Sequence, residues 1–165
     1  MSFIAYAGDD NNIVSCAWDK KIKVFRDGQS IEFLRERAEA HSADIITGDY
    51  AHNLSLIATG GRDNKVRIWD YERVKMEFEI LVHSDQLVIT KFIKPFPLLL
   101  TADQSGILYM WRTSPGESQA QCLIQWRNMF TLQKMCPITS VDFNYFQDSE
   151  RLKIYIGDEM GFVRI

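Results

Sequence analysis

His41, Thr59 and Asp63 place an imidazole, a hydroxyl and a carboxylate in one short stretch, the groups a hydrolase uses as base, nucleophile and orienting acid. Chemistry of that kind also needs a frame, and no G-x-S-x-G elbow, H-E-x-x-H helix or phosphate-binding glycine loop occurs in the chain. Asp9-Asp10-Asn11-Asn12 gathers oxygen ligands, but it lacks the alternating donors, central Gly and terminal Glu of a helix-loop-helix calcium site. A strand-connecting turn is the better reading. Cys16, Cys122 and Cys136 have no metal-ligand spacing and read as small buried hydrophobes. The sequence therefore predicts no catalytic group, no metal and no cofactor. A formal charge of −3 argues against a nucleic-acid binder, and the basic cluster Lys20-Lys21-Ile22-Lys23 with Arg26 reads as a solvated strand face.

The elements that carry these residues repeat. His41-Ser42 is answered 42 residues later by His83-Ser84, Thr59 by Thr101 and Trp69 by Trp111. Between the copies Ile45 and Ile46 meet Leu87 and Val88, Tyr50 meets Phe92, Leu56 and Ile57 meet Leu98 and Leu99, and Val66 and Ile68 meet Leu108 and Met110. The apolar runs are short and punctuated by Asn, Asp and Gly, which is strand-and-turn spacing rather than a helical stripe. The period ends in Val66-Arg67-Ile68-Trp69-Asp70.

On these residues the chain resembles the WD-repeat β-propeller family, in which one period is one four-stranded blade. The resemblance implies a hydrogen-bonded tetrad in each blade. His41 would supply the loop leading into the blade, Thr59 the second strand, Asp63 the next tight turn and Trp69 the third strand. Each of these groups is costly to bury alone, and together they satisfy one another. The second copy keeps His83, Thr101 and Trp111 but has Ser105 at the Asp position, so its network is expected to be weaker or filled by water. An earlier copy has Ser15, Asp19 and Phe25 at the matching offsets, with the His position falling before residue 1.

The expected fold is all-β: a partial propeller with two complete blades flanked by two incomplete ones. The boundaries are about 1–40 for an incomplete blade, 41–82 for a blade, 83–137 for a blade with an insertion and 138–165 for a blade cut within its third strand. Within 1–40 the repeat makes Ser30–Ala40 an outer strand, despite its amphipathic charge pattern. Fewer than four full blades leave apolar faces and a strand edge to be covered. The sequence thus predicts a fragment of a longer polypeptide, a ring completed by another chain, or an open arc seated on a partner; the management of sheet edges favours the first. No apolar run reaches 18 residues and no signal peptide is apparent, so a cytoplasmic chain without a membrane span is expected.

Two insertions break the period. The longer contains Trp126, Met129, Phe130, Leu132 and Met135, side chains suited to anchoring a protein partner; an outer strand and an edge cover are the equal alternative. The shorter lies around Asn144–Arg151. The segment Phe92–Gly106 is similar to blades of WD-repeat proteins of the ciliary axoneme, including those that carry an EF-hand, although no EF-hand signature occurs here. The resemblance implies a non-enzymatic scaffold in an axonemal or other microtubule-associated complex, with other proteins as partners. A peptide-recognition propeller in signalling, trafficking or protein turnover is the alternative.

Overall fold

A computed structural model describes residues 2–7, 10–131 and 134–165. The strands group into successive antiparallel sheets in chain order. The first holds β1 (Phe3–Ala7), β2 (Asn12–Cys16), β3 (Ile22–Arg26) and β4 (Glu32–Arg37). The second holds β5 (Ile45–Ala51), β6 (Leu56–Gly61), β7 (Val66–Asp70) and β8 (Lys75–Ile80). The third holds β9 (Leu87–Phe92), β10 (Leu98–Asp103), β11 (Ile107–Arg112) and β12 (Gln121–Arg127). A hairpin of β13 (Met129–Thr131) and β14 (Lys134–Met135) precedes the last sheet, β15 (Ile138–Phe146), β16 (Arg151–Asp158) and β17 (Val163–Arg164).

Each sheet is a meander because its strands are joined by turns too short for a crossover. The turn between second and third strands reaches the left-handed region at the matching residue in all four sheets: Lys20, Asn64, Gly106 and Gly161. Glycine or asparagine is the low-cost choice there, so Lys20 marks the strained copy. Ser30–Ala40 does contribute an outer strand, β4. The first sheet has all four strands.

Both faces of the inner sheets are buried, so their strands lose simple alternation and β6 is buried at every residue. Val14, Ile22 and Val24 pack on Tyr50, Ile57 and Trp69 in the core between the first two sheets. Ala58, Val66 and Ile68 meet Leu87, Phe92, Leu99 and Trp111 between the second and third. Leu100, Leu108 and Met110 meet Ile138, Val141 and Ile156 between the third and fourth. Strands β1, β5, β9 and β15 neighbour one another in that order, so the first strand of every sheet lies along the inside of the arc.

Cys16 and Cys136 are buried as expected, and burial pushes the Cys16 thiol up to about 12. Cys122 departs from the expectation: it lies exposed on the outer strand β12, where every residue but Trp126 is exposed. Tyr71 turns inward: it is buried, accepts a hydrogen bond from Asn12 and sets its ring at a tilt to that of Tyr50, 4.8 Å away. Among the described residues no helix is long and apolar enough to cross a membrane.

Gly106 is the position least able to change, because φ is +92° and a Cβ there would run into the carbonyl oxygen of Cys136. Gly106→Ala is expected to cost about 1–3 kcal/mol, measured as a lower midpoint in urea unfolding. An unchanged midpoint would contradict this turn geometry.

Candidate functional site

The second sheet draws four side chains into one chain of hydrogen bonds. Trp69 Nε1–H donates to Thr59 Oγ1 at 2.9 Å, and the same hydroxyl lies 2.7 Å from His41 Nε2. His41 Nδ1 lies 2.8 Å from Asp63 Oδ1. The donors fix the roles: with the indole proton on its lone pair, Thr59 donates to Nε2, and Nδ1–H donates to the carboxylate. Ser42 closes the other side of Asp63 through its N–H at 3.0 Å and its hydroxyl at 3.1 Å. Burial pushes the Asp63 carboxyl up, but the His41 bond with the two Ser42 bonds outweighs it and holds the group well below its ordinary value.

Hydroxyl, imidazole and carboxylate stand in a hydrolase order, yet Thr59 is 0% exposed and His41 1%. The indole and imidazole occupy the hydroxyl, so no substrate carbonyl can approach it. The arrangement is a strut that holds the leading loop to the blade.

The third sheet builds the same strut with a different carboxylate. Trp111 Nε1–H donates to Thr101 Oγ1 at 2.9 Å, and His83 bridges Thr101 at 2.8 Å and Asp103 at 3.0 Å. The expected weakness at Ser105 is therefore corrected: Asp103 supplies the carboxylate, and Ser105 donates its hydroxyl to Asp103 Oδ1 at 2.5 Å. The two blades exchange positions. Gly61 and Asp63 of one correspond to Asp103 and Ser105 of the other, and a Cβ on Gly61 would sit 2.5 Å from Asp63 Oδ1 and 2.7 Å from His41 Nδ1. Burial raises the Asp103 carboxyl, while His83, Ser105 and the Ile107 N–H lower it further than burial lifts it.

A third strut was not legible in the spacing. Asp158 occupies the position of Asp103 in the last sheet, and Asn128 stands where a histidine stands elsewhere. Its Nδ2 donates to Asp158 Oδ2 at 3.3 Å and to the Cys136 carbonyl at 3.0 Å. Cys136 N–H returns a bond to the Asn128 carbonyl at 2.8 Å. This pair clamps the base of the β13–β14 hairpin, whose seven residues separate Asn128 from Cys136 and displace the histidine offset. The missed signal was the Asp103-to-Asp158 match.

Ser15 and Asp19 are not brought into a strut. Asp19 pairs with Lys23 at 2.8 Å on the surface, and no hydrogen bond joins it to Ser15 among the described residues. Trp126 is half-buried on β12 and packs in the junction of the third and fourth sheets. Met129 and Met135 are half-buried at the hairpin, and Arg164 donates to the Met129 carbonyl at 3.0 Å. Leu132 and the side chain of Phe130 lie outside the described residues.

The comparisons with known proteins agree with this geometry. Residues 2–26 and 33–70 match the WD40 family, described as "WD domain, G-beta repeat". The chain is 23% identical over 113 residues to a probable coatomer subunit beta' of Schizosaccharomyces pombe, covering 68% of this chain and 14% of that protein. It is 32% identical over 79 residues to the human angio-associated migratory cell protein, covering 47% of this chain and 18% of that one. The chain thus spans less than a fifth of either curated relative. Among solved structures it superposes on the RRP9 WD40 repeats with a TM-score of 0.70 at 16% identity, covering 94% of this chain and 51% of that one.

Asp63→Ala and Asp103→Ala are each expected to lower unfolding stability by about 1–3 kcal/mol, since each leaves a buried imidazole N–H without its acceptor. Ser105→Asp is expected to destabilise as well, by setting a second carboxylate against Asp103; a gain in stability would contradict the exchanged positions. The depressed carboxylates contribute stability above the ordinary value near 3.8, which is lost as pH falls toward their folded values. Asp63→Asn should therefore flatten the fall in urea stability between pH 6 and pH 3, and an unchanged slope would count against the strut. The chain matches the WD40 repeat model over residues 2–26 and 33–70, and its sheets follow one another as the blades of a β-propeller do.

Proposed function

We propose that this chain is a non-enzymatic scaffold within a ciliary axoneme or other microtubule-associated complex, where it binds other proteins. The observation that carries the scaffold reading is the β13–β14 hairpin. It lies outside the blade plan, and its base is fixed by Asn128, Cys136 and Gly106, so Met129 and Met135 sit on a rigid mount. Rigid mounting lowers the ordering cost of binding and suits a partner contact. The axonemal part of the proposal is supported by the resemblance of Phe92–Gly106 to axonemal blades and by nothing in the names of the relatives above.

Because Asn128 and Cys136 are already bonded across the hairpin base, residues 129–135 can be replaced by a short glycine turn without disturbing the sheets. The trimmed chain is expected to keep its β-sheet circular dichroism and melting midpoint but to lose retention on detergent-extracted axonemes in high salt, where the intact chain stays bound. An intact chain that washes off, or a trimmed chain retained equally, would contradict the proposal. Stoichiometric binding of a soluble peptide to the inner end of the blades would replace it with the peptide-recognition reading.

A further inference from the structure

The first three sheets each end in an outer strand whose far edge pairs with no other strand: β4, β8 and β12. Such edges recruit other chains, and charged side chains along them are the usual guard. β4 carries Glu32, Arg35, Glu36 and Arg37, and β8 carries Lys75, Glu77 and Glu79. Ion pairs also tie both strands inward: Lys21 to Glu36 at 3.1 Å on β4, and Arg67 at 3.3 Å with Lys65 at 3.4 Å to Glu79 on β8.

β12 has neither guard. Gln121 to Trp126 is uncharged, and the strand's one charge, Arg127, makes no ion pair among the described residues. All three outer strands bulge once against their neighbours, so the bulge does not set β12 apart. Past it, Ile124, Gln125, Trp126 and Arg127 stand in regular register opposite Met110, Tyr109, Leu108 and Ile107, which leaves alternate N–H and C=O groups pointing outward from the sheet.

This edge is continuous with the hairpin, since only Asn128 separates β12 from β13. No Asp or Glu occurs between Glu117 and Asp142, so strand and hairpin carry Arg127 and Lys134 without a carboxylate of their own. Both cations are exposed, and among the described residues both are unpaired. Asp158, at the hairpin base, is buried and already engaged by Asn128 and Arg164. Leu123 is 44% exposed, and half-buried Met129 and Met135 continue the apolar surface beyond the strand. An occupant that satisfies all of these groups brings extended backbone to the edge, carboxylates to the two cations and apolar side chains to the rest.

We infer that β12 is a strand-addition site and that the partner held at the hairpin is an extended segment rich in Asp or Glu and in apolar residues, pairing with residues 124–127 and continuing over Met129 and Met135. The inference rests on the hairpin as a partner's mount and adds the partner's chemistry. Main-chain bonds along the edge supply the attachment, and Arg127 and Lys134 select acidic over basic segments.

The probe is a short fluorescein-labelled peptide in which glutamate and valine alternate, titrated into the 165-residue chain at low salt and followed by fluorescence anisotropy. Saturable binding is expected, weaker by at least about tenfold when lysine replaces glutamate in the peptide. The double variant Arg127→Glu with Lys134→Glu alters two exposed residues; it should keep its circular dichroism and reverse that preference. Two isomers of the acidic peptide, N-methylated at one or the other set of alternate residues, separate strand pairing from charge attraction. One set of N–H groups faces β12 and the other faces away, so one isomer should lose binding and the other keep it. Isomers that bind alike, a preference unmoved by the charge reversals, or no binding of the acidic peptide overturns the inference. Hairpin-dependent axoneme retention without acidic-peptide binding overturns the partner's chemistry while leaving the scaffold; acidic-peptide binding at β12 by a chain that washes off axonemes does the reverse.

Discussion

The arrangement depends on burying an indole N–H, a hydroxyl, an imidazole and a carboxylate in one line, so that no member is left without a partner. Trp69, Thr59, His41 and Asp63 make such a line, and Trp111, Thr101, His83 and Asp103 make another. Any one of these groups buried alone would cost a few kcal/mol; in sequence each donor meets an acceptor and the line ends on a charge held by backbone N–H groups. The consequence is mechanical. Each strut ties the loop leading into a blade to that blade's third strand, so the loop is fixed even though it carries little apolar surface.

Fixing those loops fixes what they carry. Between the third and fourth sheets the loop has grown into the β13–β14 hairpin, and the strut there is rebuilt from Asn128 and Asp158 with Arg164 beside them, 3.6 Å from the carboxylate. Asn128 offers an amide N–H in place of the imidazole and adds a bond to the Cys136 carbonyl, so one side chain both joins the blade and closes the hairpin base. Tyr109 supports the neighbouring strut differently, with its ring edge-on to His83 at 5.0 Å. The same mechanical task is thus met with three sets of side chains.

The blade plan was legible because it rests on spacing: the 42-residue offset places Thr59 and Thr101, and Trp69 and Trp111, at the same points of β6, β10, β7 and β11. The carboxylate was harder to locate, since two positions, the last residue of the second strand and the turn after it, those of Gly61 and Asp63, can both deliver an oxygen to the imidazole. Reading only the second of them hid Asp103 and Asp158. Asn128 escaped for a separate reason, because the hairpin inserts residues between it and the blade it serves. Ser15 and Asp19 show the converse: correct offsets do not make a strut when no imidazole joins them.

The central claim, that buried hydrogen-bonded struts hold the blades, is tested most directly by hydrogen exchange at the four tryptophan indoles followed by nitrogen-15 NMR. Trp69 and Trp111 are 1% and 4% exposed and donate to threonine hydroxyls, whereas Trp18 is 63% exposed. The expected result is two indole protons that exchange only with global unfolding, both lost from that class when Asp63 and Asp103 are changed to alanine, and a Trp18 proton that exchanges at once. Indole protons of Trp69 and Trp111 that exchange as fast as that of Trp18 would contradict the account.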